Sequence, residues 1–171
     1  MIDRRRAPSL RGVTPAALPG WTARPDGPVP HDVERLLGSV PEWFGRPESN
    51  AEYVADARTK ETWTVRDEAG GVVAVALVSR HFAHSAELHL MVVDRAHQGS
   101  GAGTALVAAI EDDARERGVR LLQVKTLGAS HPDEFYARTR RFYESVGFLG
   151  LEETELWGED TPCLVMVKPL G

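Results

Sequence analysis

The segment that most restricts this chain is residues 87–117, where ELHLMVV runs through VDRAH and the glycine-rich loop QGSGAGT into a helix expected over residues 101–117. The first piece has the apolar, β-branched content of a buried strand. A strand that feeds a helix through glycines gathers backbone N–H groups and the positive end of the helix dipole at one point, which suits a phosphate or pyrophosphate. Gly99, Gly101 and Gly103 carry no Cβ, so the chain can turn tightly and let anion oxygens reach the amides, and Gln98 adds a side-chain donor.

The flanking sequence builds outward from this unit. Val33, Leu36 and Leu37 follow Asp32, a candidate cap, at helical spacing, and residues 49–58 predict a second helix that turns Tyr53, Val54 and Ala57 inward. Between them Trp43 and Phe44 sit in a turn-like stretch, as core or as substrate wall. TWTVRDE and VVAVALV read as strands around a turn at Gly70 and Gly71, with RHFAHS as a polar linker to ELHLMVV. On the helix after the loop, Leu106, Ala109, Ile110 and Ala114 form the apolar stripe and Glu111, Asp112, Arg115, Glu116 and Arg117 face water. VRLLQVKTL is a further buried strand, residues 134–146 a helix closed by Gly147, and FLGLEETELW and PCLVMVKPL a final pair. Hairpins mixed with crossovers predict an α/β protein with a mixed sheet.

Composition narrows the setting. A chain of 171 residues with 42% hydrophobic and 26% charged residues fits one soluble globular domain. The first thirty residues hold six of the eleven prolines, together with Arg4, Arg5, Arg6, Arg11 and Arg24, and read as a loosely ordered arm before a single domain over residues 31–171. Cys163 is the lone cysteine and has no internal partner. No apolar run approaches the roughly 20 residues of a membrane span, so the expectation is a cytoplasmic protein with no membrane partner. The net charge of −5 argues against nucleic acid and for a cationic partner.

Three familiar phosphate loops fail on spelling. A Rossmann GxGxxG needs glycine where Thr104 stands, a P-loop needs a lysine and hydroxyl that do not follow, and no HRD or DFG accompanies a kinase-type loop. QxxGxG does match, at Gln98, Gly101 and Gly103, after an apolar strand and before TALV. This resembles the coenzyme A loop of the GNAT superfamily of N-acetyltransferases. Downstream, YARTRRFYESVGF resembles the second signature of that family through Phe142, Tyr143, Gly147 and Phe148, while Tyr136 stands where an Asn is usual and Thr139 where an Ala is.

The resemblance implies an α/β (α+β) fold with a central mixed, largely antiparallel sheet flanked by helices, acetyl-coenzyme A as co-substrate, no metal, and transfer of its acetyl group to an amine of a small molecule or a protein, with a homodimer compatible with the family. It implies a coenzyme site made of Met91, Val92, Val93, Gln98, Gly99, Ser100, Gly101, Ala102, Gly103, Thr104 and Tyr136, and a strand that splays away beside Met91 to Val93. It also implies Tyr143 as general acid to the leaving thiolate and Glu87 as a base for the amine, directly or through water. His89 offers a second base or a wall of the acceptor pocket. A metal cluster of His81, His84, Glu87 and His89 lacks any recognised ligand spacing. The other reading is a non-catalytic acyl-coenzyme A binding module.

Overall fold

The computed structural model describes residues 20–171. Its elements run β1 (Ala23–Asp26), α1 (Pro30–Ser39), α2 (Pro47–Asp56), β2 (Glu61–Arg66), β3 (Val72–Phe82), β4 (Ser85–Val93), a 3-10 turn (Arg95–His97), α3 (Ala102–Glu116), β5 (Leu121–Leu127), α4 (Glu134–Ser145), β6 (Leu149–Thr154) and β7 (Cys163–Pro169). The strands form one seven-stranded sheet in the order β1-β2-β3-β4-β5-β7-β6. Only β4 and β5 run parallel, joined by the α3 crossover, and every other neighbouring pair is antiparallel. This is the mixed sheet that the hairpins and crossovers predict, in the largely antiparallel, helix-flanked form that the family resemblance implies.

Four local expectations are corrected. Asp32 is not the cap of α1: the helix starts two residues earlier with Pro30 at its first position, and Asp32 instead bonds Arg35 at 2.9 Å. RHFAHS is not a linker, because β3 continues to Phe82 and turns directly into β4. Glu111 does not face water. It is 6% exposed and paired with Arg115 and Lys168, whose ammonium also bonds the Val146 carbonyl and ties α3 to the end of α4. Residues 23–26, within the Pro/Arg-rich stretch, form an edge strand on β2, held by Asp26 through Arg66 at 2.7 Å and Thr64 at 2.8 Å. Pro25 fits there because an edge strand can spare one donor. The rest of that stretch, residues 1–19, lies outside the described residues.

A bulge in β4 sets up the site. Leu77 pairs with Leu90 while Val78 pairs with Leu88, so His89 is an extra residue in β4. One inserted residue exchanges the two faces of a strand. Ala86 and Leu88 accordingly pack with Leu106 and Ile110 of α3, whereas Leu90 and Val92 pack with Leu36 and Leu37 of α1. Each layer is built on an apolar cluster, and truncating a side chain such as Leu106 or Leu36 to Ala would cost about 2–5 kcal/mol.

Candidate active site

Strands β4 and β5 pair from Ser85 with Leu121 to Leu88 with Val124, and then part. The rest of β4 keeps β3 on one edge and has no strand on the other, so its remaining main-chain groups face open space. A cavity of about 710 Å³ fills the gap, between Leu88 to Val93 on one side and Val124 to Thr126 on the other.

One end of the cavity is the start of α3. Gly99 and Gly101 have φ of 74° and 95°, left-handed values that glycine adopts without strain. Gly101 is the N-cap residue and no side chain caps the helix, so the N–H groups of its first turn remain available. Gly103 differs: it lies where α3, α4 and β4 meet, and a Cβ there would stand 3.4 Å from Phe142 and 3.6 Å from Val93, in ordinary van der Waals contact. Ser100 Oγ and His97 Nδ1 are buried without a hydrogen-bond partner among the described residues. Uncapped amides, a helix dipole and orphaned polar atoms fit a pyrophosphate. Trp21, just ahead of β1, props this loop by donating from Nε1 to the Ser100 carbonyl at 3.1 Å and meeting His97 edge-on.

Tyr143 reaches the cavity from the inner face of α4, fixed between Phe142 and Phe148 with ring centroids 5.4 and 5.5 Å away. It is 5% exposed. Burial, with a smaller contribution from Tyr53 and Tyr136, pushes its phenol far above the ordinary tyrosine range, so it keeps its proton. Thr126, 3% exposed, also borders the cavity with an unpartnered hydroxyl.

The histidines and Glu87 separate into two carboxylate–imidazole pairs. Glu87 sits behind the cavity wall, taking His81 at 2.6 Å, Gln123 at 3.1 Å and Lys125 at 2.8 Å. Burial raises its pKa, but these three donors and the lysine charge more than offset that, so its carboxyl stays below the usual range. His89 is in the wall itself. Its Nε2 bonds Asp56 of α2 at 2.6 Å, Tyr53 packs edge-on at 5.6 Å, and Nδ1 has no partner among the described residues. Since an ionised carboxylate only accepts, this pairing puts a proton on Nε2, so that in the neutral imidazole Nδ1 is the acceptor. His84 stacks on Phe82, away from both pairs. Cys163 is buried in β7, and burial pushes its thiol up.

The α1–α2 loop closes the cavity above these groups. Trp43 Nε1 donates to Thr139 Oγ1 at 3.0 Å, the Tyr136 hydroxyl donates to the Trp43 carbonyl at 2.6 Å, and Trp43 meets Phe135 edge-on at 5.1 Å. Burial raises the Tyr136 phenol to about 12, which keeps it a donor. Trp43 and Phe44 are therefore both: partly buried against the α1 layer, and part of the cavity lining.

A family model described as acetyltransferase (GNAT) matches residues 31–148. The chain belongs to the GNAT acetyltransferase family. No curated protein matches the sequence significantly. Solved structures show the same fold at low identity. A protein from Desulfovibrio desulfuricans assigned to the GNAT acetyltransferases is 20% identical, with a TM-score of 0.76 over 89% of this chain and 100% of that one. An aminoglycoside 6′-acetyltransferase type Ii is 22% identical, with a TM-score of 0.67 over 87% and 97%. A GNAT acetyltransferase from Elizabethkingia anophelis with acetyl-coenzyme A bound is 15% identical, with a TM-score of 0.64 over 87% and 97%.

In this acetyltransferase the fold gathers Gln98, Gly99, Gly101, Gly103, Thr104, Tyr136, Tyr143 and Met91 to Val93 around one cavity, and places Glu87 just outside it. Ser100 and Ala102 complete the loop, Ala102 buried beneath it. Sequence reasoning missed Trp21, Asp56, Lys125, Thr126 and Trp157. Trp21 and Asp56 act through contacts across 79 and 33 residues that no local pattern announces. Lys125 and Thr126 had a local sign: polar residues inside an otherwise apolar strand. Among the described residues no helix is long and apolar enough to cross a membrane, and no group of three or more His, Cys, Asp or Glu side chains is placed to hold a metal.

Proposed function

We propose that this acetyltransferase binds acetyl-coenzyme A in the β4/β5 gap and transfers its acetyl group to a primary amine. The observation that carries this reading is the single cavity with the uncapped α3 N-terminus at one end and the buried, proton-bearing Tyr143 along its side. Acetyl-coenzyme A supplies an already activated thioester, so the protein has to orient, exclude water and move protons.

Residues 98–104 hold the pyrophosphate through main-chain amides, with Gln98 and Ser100 adding side-chain donors. The open edge of β4 at Met91, Val92 and Val93 aligns the pantetheine arm and the thioester carbonyl, and the Tyr136 ring closes the channel from α4. Tyr143 donates to the sulfur as the thiolate leaves. An alkyl amine with a pKa near 10 arrives protonated, and His89, with its Nδ1 free and its Nε2 oriented by Asp56, takes that proton from inside the wall. Glu87, the base that family resemblance implies, is given the supporting role of fixing Lys125 and lending negative charge from behind.

Thiol release measured with acetyl-coenzyme A and a panel of amines tests this reading. Tyr143→Phe should lower kcat by about a hundredfold while KM for acetyl-coenzyme A stays within about twofold. Coenzyme A binding with no turnover of any amine by the wild type would favour a non-catalytic acyl-coenzyme A module instead.

A further inference from the structure

The acceptor half of the cavity carries a chemical signature of its own. Phe44, Tyr53 and His89 form a continuous edge-to-face wall with centroids 6.0 and 5.6 Å apart. Trp43, pinned to α4, continues it, and Trp157 from the β6–β7 loop stands at the mouth, 40% exposed. Among the described residues that line the cavity there is no Asp or Glu. Carboxylates stand one layer back, and each is engaged: Asp56 on His89 and Glu87 on Lys125.

That arrangement offers an incoming ammonium no carboxylate of its own, and Lys125 and Arg138 already bring two positive charges to the lining. Moving an ammonium out of water requires a partner, and a polycation would require one for each charge it buries. The wall offers aromatic faces, which attract a cation directly, with Asp56 and Glu87 behind it. Glu52, Asp56 and Glu87 add to burial in raising the Tyr53 phenol. A carboxylate on the acceptor would find Lys125 already paired with Glu87, and Arg138 resting over the Phe135 ring at 5.6 Å.

We propose that the acceptor is a primary monoamine carried on an aromatic or similarly flat apolar body, and that polycations and amino acids are poor acceptors. The proposal rests on the reading of this cavity as an acetyltransferase site. His89 takes the ammonium proton, the freed amine nitrogen bonds to the acetyl carbon as the carbon–sulfur bond breaks, the thiolate leaves with the proton of Tyr143, and the second proton that the nitrogen sheds on becoming an amide restores the Tyr143 phenol. The body of the amine lies between Phe44, Tyr53 and Trp157.

The test measures kcat/KM by thiol release at saturating acetyl-coenzyme A for 2-phenylethylamine, tryptamine, L-phenylalanine, spermidine and kanamycin A. Calorimetric titration of coenzyme A into the same protein runs beside it. The two aromatic monoamines should exceed the other three by about tenfold or more, and Trp157→Ala should lower their kcat/KM by about tenfold while coenzyme A binds as before. A preference for spermidine, kanamycin A or L-phenylalanine overturns the proposal. So does a Trp157→Ala protein that handles the aromatic amines as the wild type does, or a protein that binds coenzyme A and acetylates none of the five. A protein that does not bind coenzyme A overturns instead the reading of the cavity on which the proposal stands.

Discussion

The hydroxyl of Tyr136 donates a hydrogen bond to the backbone carbonyl of Trp43 at 2.6 Å, across 93 residues of sequence. One turn further along α4, Thr139 accepts from the Trp43 indole at 3.0 Å. These are the two positions at which the second signature departs from the family pattern. The departures form a latch: a hydroxyl at each position holds the same tryptophan, and the α1–α2 loop is fastened over the cavity.

Tyr136→Phe should therefore loosen that loop. It leaves a part-buried carbonyl without its donor, a loss of about 1–2 kcal/mol, and should lower the thermal midpoint by about 2–8 °C for a domain of this size. Amide exchange over residues 41–46 should accelerate. An unchanged midpoint with unchanged exchange would mean that the hydrogen bond does not hold the loop.

The Asp56–His89 pair predicts a kinetic signature. With His89 as base, His89→Gln should lower kcat by about a hundredfold while coenzyme A binds as before. Asp56 holds the imidazole through Nε2 at 2.6 Å, so Asp56→Asn should lower kcat by about tenfold with KM for acetyl-coenzyme A within about twofold. A role confined to packing α2 on β4 would lower only stability and leave kcat unchanged in Asp56→Asn.

The loop glycines should respond differently to alanine. At Gly101 a φ of 95° is strained for any residue with a Cβ, so Gly101→Ala should cost about 1–2 kcal/mol of stability and weaken coenzyme A binding. Gly103 has an ordinary φ, and the Cβ of alanine would meet Phe142 at 3.4 Å, within van der Waals contact. Gly103→Ala should fold with a midpoint within about 2 °C of the wild type. Equal destabilisation by the two would contradict the backbone argument, which unfolding midpoints decide.

Much of this architecture was legible because its causes are local. The β4–loop–α3 unit announces itself through β-branched residues, glycines and an apolar stripe in sequence order, and Tyr143 lies within a recognisable signature. What escaped depends on contacts made only in three dimensions. β1 is four residues long and contains a proline, and it is held by Asp26 reaching Arg66. Glu111 looks like a surface residue on the helical wheel until β7 brings Lys168 beside it. The bulge at His89 leaves no mark in ELHLMVV, because Leu88, Leu90 and Val92 could pack against either core. Yet the bulge divides the strand between two cores and leaves Glu87 behind the wall that His89 lines.

The claim on which the rest depends is that acetyl-coenzyme A occupies the β4/β5 gap with its pyrophosphate on residues 98–104. Thermal unfolding of the wild type with acetyl-coenzyme A, coenzyme A, NAD and ATP tests it most directly. At about 100 times its Kd a ligand of the folded state adds roughly 2.7 kcal/mol, a rise of about 5–11 °C here. The account predicts that rise for the two coenzyme A species alone. No rise with either, or an equal rise with NAD or ATP, would contradict it.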